Sequence, residues 1–349
     1  MLYTGIKQIK GADMRLRTIE KLKVLRKQLD KEIPEKTAAN SLLLATWNIR
    51  AFKKDSRTKE SLYYIAEILS RFDLVAIQEV HGQREELEKV MAILGKNWKY
   101  IATDVTAGSA GNGECMAFLY DTNKVSFKSM AGEIVLPKDN KTLEGLQFAR
   151  TPFCVSFQAG WFKFNIATVH IYYGNGSEGL KQRAKEITAL SKFLSTRANN
   201  EKNNYIILGD FNIPDVDDEY MKALESGGFK IPKPLKEHPT DLGETHHYDQ
   251  IAFKLKMNKT MQIFDEKVQK AGAFNFTKSV YNDSEYEAYL PDMDPEKYAG
   301  DTPENYFHST YRTFQMSDHF PMWVELKVDF SGQYLDELEA QYSGGQDKK

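Results

Sequence analysis

Tyr205-Ile206-Ile207-Leu208-Gly209-Asp210-Phe211-Asn212 passes directly from an apolar run into a glycine, a carboxylate and an amide. A short apolar run bounded by turn residues predicts a buried strand over Tyr205–Phe211 whose end carries chemistry. Asp210 and Asn212 are two positions apart, so on an extended chain they face the same way and can hold a water and a phosphate oxygen together. The competing reading is an Asx turn that closes the strand, because Gly209 and Pro214 flank the pair. Ser317-Asp318-His319 stands at the end of another apolar run, Met322 to Val328, and offers a carboxylate and an imidazole that point to opposite sides if extended.

Outward from these anchors, apolar runs of strand length recur at Leu42–Asn48, Leu74–Val80, Cys115–Tyr120, Val125–Met130, Phe153–Gln158, Phe162–Ile171 and Tyr248–Lys254. Apolar residues at helical three-and-four spacing cover Met14–Ile33, Ser61–Phe72, Glu85–Leu94 and Leu180–Arg197. Strands interleaved with helices predict a layered α/β or α+β domain. The expected organisation is an N-terminal helical extension over 1–40, a main domain over 41–330 and a polar C-terminal tail over 331–349 that frays. Within the domain, 265–312 breaks the pattern. Its stretch Tyr281–Tyr311, rich in Tyr, Asp, Glu and Pro, reads as a long loop or insertion.

Composition sets wide bounds. The chain has 349 residues, 41% hydrophobic and 28% charged, an ordinary globular balance. A net charge of -2 excludes a polybasic nucleic-acid binder for the chain as a whole, while 47 Lys and Arg can still build a local basic face. Cys115 and Cys154, both in apolar runs, are expected to be reduced, buried thiols. Residues 1–40 show no secretory h-region, and no window has the apolar length of a membrane span. A cytoplasmic location is therefore the default expectation, and the oligomeric state is left open.

The polar residues at the strand ends suit cleavage of a phosphate ester. That reaction needs a cation to neutralise the phosphate, an activated water and a stabilised leaving oxygen. Magnesium takes a few hard oxygen ligands and keeps several waters. Glu79, closing the run Leu74–Val80, suits it, and Asn48 can add an amide oxygen or fix that carboxylate. Of Asp318 and His319, one can serve the metal and the other the phosphate. His319 needs a partner to set its tautomer and keep its proton, and Asp249 is the candidate. His170 can be a second acid or base, with Glu114 to orient it. Two His–carboxylate pairs flanking one phosphate make a coherent acid–base design. For any one of these residues a turn or solvated strand end is the plainer reading; the combination carries the argument. His81, His238, His246, His247 and His308 are assigned to that plainer reading, although His246 and His247 stand close enough to Asp249 in sequence for one to touch substrate.

In chain order, Thr46-Trp47-Asn48-Ile49-Arg50, Ile77-Gln78-Glu79-Val80, Gly113-Glu114, Phe148-Ala149-Arg150-Thr151-Pro152-Phe153, Val169-His170, Leu208-Gly209-Asp210-Phe211-Asn212, Tyr248-Asp249-Gln250-Ile251 and Ser317-Asp318-His319-Phe320-Pro321 resemble the motif series of the endonuclease/exonuclease/phosphatase superfamily. The series looks most like the deoxyribonuclease I branch and spans residues 42 to 328. The resemblance implies a four-layer α/β sandwich, two packed mixed β-sheets flanked by helices, with the site where strand-end loops converge. It implies Asn48 and Glu79 near a divalent cation, Mg2+ or Mn2+, with Asp318 close by. It implies Asp210 and Asn212 at the attacking water and phosphate, His319 paired with Asp249, and His170 paired with Glu114. The last pair, with Arg150 as a substrate contact, points to the deoxyribonuclease-like branch. Apurinic-site endonucleases usually carry a Tyr-Val-Pro-Asn segment where this chain has His170-Ile171-Tyr172-Tyr173. Thr151 departs from the acidic residue common in the secreted nucleases, and neither their signal peptide nor their disulfide is evident. The expectation is a magnesium- or manganese-dependent phosphodiesterase, an endonuclease acting on DNA by in-line attack of water. The alternative is a phosphatase or phosphodiesterase on a lipid headgroup or small phosphate ester. A binding scaffold that lost activity fits poorly with a full set of candidate ligands.

Overall fold

Along β1 (Ser41–Phe52) the side chains alternate between two cores. Leu42 and Leu44 enter the cluster shared with a second sheet, while Leu43, Ala45, Trp47 and Ile49 enter a cluster beneath helices. A strand buried on both faces must be apolar at nearly every position, which is why this run shows no polar alternation. The computed structural model describes residues 3–53, 57–105, 113–139, 143, 147–174, 176–255 and 270–343.

Beside β1 lie β2 (Leu74–His81), β3 (Trp98–Ala102), β4 (Glu114–Asp121), β10 (Ala271–Ala273) and β11 (Met322–Lys327), in the six-stranded order β10-β11-β1-β2-β4-β3. The second sheet has five strands in sequence order: β5 (Val125–Glu133), β6 (Phe153–Ala159), β7 (Phe162–His170), β8 (Asn204–Asp210) and β9 (Asp249–Lys254). In each sheet one central pair is parallel, β1 with β2 and β7 with β8, and the other pairs are antiparallel. A parallel pair needs a crossover, and helices supply it: α2 (Lys59–Leu69) between β1 and β2, and α4 (Gly176–Glu201) between β7 and β8. α1 (Ala12–Glu32) and α3 (Glu85–Leu94) join α2 on the first sheet's outer face. The architecture is the four-layer α/β sandwich that the resemblance implied. The crossovers also bring the carboxyl ends of all four parallel strands to one edge, where crevices form in open α/β sheets.

Several sequence expectations are corrected. β3 and β10 were not anticipated, because Trp98–Ala102 is amphipathic and Ala271–Ala273 is short and small. Residues 276–315 are not a long loop but a series of short helical turns. They close around a buried aromatic cluster in which Tyr281 stacks on Tyr289 with ring centroids 4.4 Å apart, beside Phe307 and Tyr311. α1 packs on this unit: the Arg17 guanidinium bridges Glu60 of α2 at 2.7 Å and Asp292 at 2.6 Å. The tail does not fray at once, since Ser331–Ser343 forms an exposed helix. Part of the expected insertion, 265–269, and the last residues, 344–349, lie outside the described residues. Cys115 and Cys154 are buried and unbonded to each other, and no helix among the described residues is long and apolar enough to cross a membrane.

Gly209 shows how tightly the second sheet is drawn toward that edge. Its φ is +133°, and a Cβ there would stand 2.2 Å from the Val169 carbonyl oxygen on β7. Backbone strain and overpacking each cost about 1–3 kcal/mol. Gly209→Ala is therefore expected to lower unfolding stability by about 2–4 kcal/mol, read as a shifted denaturant midpoint. An unchanged midpoint would show that the close approach of β7 and β8 is not required.

Candidate active site

The first sheet builds one half of the site by breaking its own ladder. Asn48 pairs with Gln78, and pairing resumes only at Phe52 and Val80. In the gap Glu79 adopts φ 59° and Ala51 φ 44°. Non-glycine residues hold such conformations only when their surroundings determine them, and they concentrate at functional sites. Here the Ala51 N–H donates to Glu79 Oε2 at 2.8 Å, so the carboxylate takes over from the lost ladder. Asn48 Nδ2 donates to Glu79 Oε1 at 3.1 Å and to Asp210 Oδ2 of the second sheet at 2.9 Å. Asn48 shares the face of Leu42, Leu44 and Thr46 by strand alternation, which aims it between the sheets.

Asn48 Oδ1 is then left buried without a hydrogen-bond partner. A buried acceptor with no donor, next to a half-exposed carboxylate, fits a hard cation. Among the described residues no group of three or more His, Cys, Asp and Glu forms a ready cage. Magnesium does not need one, since one or two carboxylates and several waters suffice.

The second sheet supplies acids and bases. His170 ends β7 and Asp210 ends β8 as register neighbours, and Asp249 opens β9 opposite Asp210. The Asp210 carboxylate stands 3.6 Å from His170 Nε2 and 3.9 Å from His319 Nε2. Each imidazole is backed by its own carboxylate: His170 Nδ1 lies 2.7 Å from Glu114 Oε2, and His319 Nδ1 lies 2.7 Å from Asp249 Oδ2. Burial disfavours a charge on His170, but the hydrogen bond to Glu114 and the charge of Asp210 outweigh it and raise its pKa. Burial likewise opposes charge on His319, and the carboxylates of Asp249 and Asp210 overcome it, holding its pKa well above the usual value. Arg150 Nη2 donates to Glu114 Oε1 at 3.2 Å, while its Nε and Nη1 are buried without partners. Unpaired buried N–H groups are costly, and an anionic oxygen would satisfy them.

Asn48, Glu79, Glu114, Arg150, His170, Asp210, Asn212, Asp249 and His319 thus form one connected set at the strand edge. Asp318 stands at its rim, 39% exposed in its side chain and 3.3 Å from the Arg50 guanidinium. One geometric expectation is corrected. Asp210 and Asn212 do not face the same way on an extended chain, because β8 ends at Asp210 and Asn212 has φ 54°. The Asn212 N–H donates to Asp210 Oδ1 at 2.8 Å, and its side-chain amide donates to the Ile171 carbonyl at 2.8 Å. The Asx turn and the polar cluster are both present, and the turn orients the carboxylate. Of the remaining histidines near the edge, His246 braces its own turn through Thr245 Oγ1 at 2.8 Å and stacks on Tyr248 with centroids 4.8 Å apart.

Sequence reading assigned no role to the residues that hold these groups still. Ser317 Oγ donates to the Asn48 carbonyl at 2.6 Å and accepts the His319 N–H at 3.0 Å, tying the two motifs together. Arg183 of α4 is buried and donates to the carbonyls of Asn212 at 2.7 Å, Tyr172 at 3.3 Å and Tyr173. Arg50 donates to Thr313 Oγ1 at 2.8 Å and lies 4.3 Å over the Phe314 ring. An arginine among apolar helix positions is the single local signal that could have drawn attention to Arg183. Nothing in the chain marks Thr313.

Residues 45–320 match the model of the Endonuclease/Exonuclease/phosphatase family. A deoxyribonuclease of Thioalkalivibrio sp. (strain K90mix) is 30% identical over 200 residues, covering 54% of this chain and 51% of that protein, so the match spans about half the length of that relative. The catalytic domain of human nocturnin superposes with a TM-score of 0.53 at 16% identity, covering 82% of this chain and 94% of that one. A mannosyl-6-phosphatase of Bacteroides thetaiotaomicron superposes with a TM-score of 0.50 at 17% identity, covering 82% and 99%. At such identities the structural likeness shows the fold alone.

The Glu114 contact has a measurable consequence. A histidine whose pKa is raised keeps its charge at its ordinary pKa of about 6.5 and loses it as pH climbs through the raised value. Glu114→Gln replaces the charged acceptor beside His170 with a neutral amide, so the NMR titration midpoint of His170 is expected to move to lower pH. A midpoint that stays put, or rises, would mean that Glu114 does not hold the proton on His170.

Proposed function

We propose that this chain, which belongs to the endonuclease/exonuclease/phosphatase family, is a divalent-metal-dependent phosphodiesterase that cuts DNA internally. Phosphoric ester hydrolysis is the chemistry of the family; the choice of DNA, internal cleavage and the metal are our reading. The observation that carries it is the Asp210 carboxylate held 3.6 Å and 3.9 Å from two imidazoles, each backed by its own carboxylate at 2.7 Å. With two protonated imidazoles beside it, the carboxylate can take a proton from water on one side of a phosphate while an imidazolium gives one to the leaving oxygen on the other.

In the proposed reaction a water held by Asp210 attacks phosphorus in line. Its proton passes to the Asp210 carboxylate, a P–O bond forms, and the bond to the leaving oxygen breaks. His319 and His170 donate hydrogen bonds to the phosphoryl oxygens, and one of them protonates the leaving oxygen. Asn212, turned back toward Asp210, helps to hold the phosphate and water. Arg150 directs its unpaired Nε and Nη1 to a phosphate oxygen. Asn48, Glu79 and Asp318 would hold the magnesium or manganese ion. Bound there, the ion would neutralise charge on the phosphate as it is attacked.

DNA is favoured over other esters by the deoxyribonuclease relative. The net charge of -2 supports a second reading, a small phosphate ester as substrate, because duplex binding draws on a basic surface. Plasmid DNA, RNA and a panel of phosphate esters, each with Mg2+ and with chelator, separate the two. Nicked plasmid that disappears with chelator, and binding that weakens steeply with salt, are the expected results. Asp210→Asn is expected to lower the rate by about 10²–10⁴-fold. Turnover of the ester panel alone would replace DNA with a small substrate, and chelator-resistant turnover would remove the metal from the scheme.

A further inference from the structure

Arg57 lies in the connection between β1 and α2, yet its side chain is fully buried. A cation taken out of water must be paired. Its Nη1 meets Glu86 Oε2 at 2.9 Å, and its backbone N–H donates to Glu86 Oε1 at 3.0 Å. Glu86 is equally buried, in the first turn of α3. This pair accounts for the charge and leaves further N–H groups of the fork to find acceptors.

Those acceptors are backbone carbonyls from two separate parts of the site. Nη1 also reaches the Ala51 carbonyl at 3.2 Å, and Nη2 donates to the Arg50 carbonyl and to the Met316 carbonyl at 3.3 Å. Ala51 is the left-handed residue whose N–H holds Glu79, and Arg50 follows Asn48 by two positions. Met316 immediately precedes Ser317 and Asp318. Burial pulls the guanidinium pKa below its ordinary value, and the carboxylates of Glu86 and Glu79 oppose that shift. One planar group therefore spans the end of β1, the turn that grips Glu79, and the approach to Asp318.

We propose that Arg57 is a positioning residue for the divalent cation: it locks the Arg50, Ala51 and Met316 carbonyls to the start of α3 and so sets the spacing of Asn48, Glu79 and Asp318. This rests on the reading that those three residues hold the ion. Lysine cannot substitute, because a compact ammonium cannot reach several acceptors in a fixed plane as the fork does. Outer partners of metal ligands typically change affinity by about 10–100-fold when lost.

The test measures binding of Mn2+ to the substrate-free protein by loss of the free-ion EPR signal. Arg57→Lys keeps the charge that Glu86 requires, and the double variant R57M/E86L removes both buried charges together, a change that proteins often tolerate. Circular dichroism establishes that each is folded. Both are expected to bind Mn2+ about tenfold or more weakly. Lys124→Met, which breaks the buried ion pair with Asp73 just before β2, at the end of the sheets away from the site, controls for general loosening and is expected to bind like the wild type. Wild-type affinity in either folded Arg57 variant overturns the proposal, as does an equal loss in Lys124→Met. A wild-type protein that binds no Mn2+ overturns the cation reading itself, and the role of Arg57 with it.

Discussion

One side-chain amide joins the two halves of the site. Asn48 Nδ2 gives one N–H to Glu79 on its own sheet and the other to Asp210 on the facing sheet. A carboxamide has two donors on one side and an acceptor on the other, so committing both donors fixes where the oxygen points. That oxygen is the buried acceptor without a partner. The first-sheet carboxylate and the second-sheet acid–base group are thereby held in place by the same residue. Below it, Gln78 bridges Thr46 and Thr168 at 3.1 Å and 2.9 Å, a polar tie through an otherwise apolar interior. Buried polar networks that are fully engaged specify one arrangement of the layers they join.

Such an edge carries strain, and buried arginines help to contain it. Glu79, Ala51 and Asn212 all hold left-handed backbone conformations within the site. Near the first two sits Arg57, near the third Arg183, and each guanidinium gathers carbonyls from the irregular segments around it. Carbonyls at strand ends have lost their ladder partners and need donors when buried. A planar fork of five N–H groups meets several at once without further protein mass. The same device thus appears twice, in the connection after β1 and on the crossover helix α4.

The unit from 276 to 315 belongs to this support. Its aromatic cluster is sealed by α1, and its last turn delivers Thr313, Gln315 and Met316 against the connection that follows β1. Gln315 Oε1 accepts from the Thr58 N–H at 2.9 Å and from Ser61 Oγ at 2.7 Å at the start of α2. The N-terminal helix, distant from the site in sequence, is thus packed on the element that orients Ser317 and Asp318.

Much of this was legible in the chain because burial writes itself into composition. Strands buried on both faces are continuous apolar runs, and the ends of β1, β2, β7 and β8 are where those runs give way to Asn48, Glu79, His170 and Asp210. The motif order also carried the four-layer architecture. Three things were decided only in three dimensions. The left-handed turn at Asn212 depends on acceptors supplied by Asp210 and Ile171, so local spacing favoured the wrong orientation. The helical turns of 276–315 are weak as isolated segments and exist because their tyrosines are buried against α1 and α2. The roles of Arg57 and Arg183 come from backbone carbonyls, and a carbonyl belongs to every residue alike, so no residue type announces which ones will be left without partners. The sequence determined which groups stand at the strand ends; packing alone determined how they are aimed, because aim depends on contacts between segments far apart in the chain.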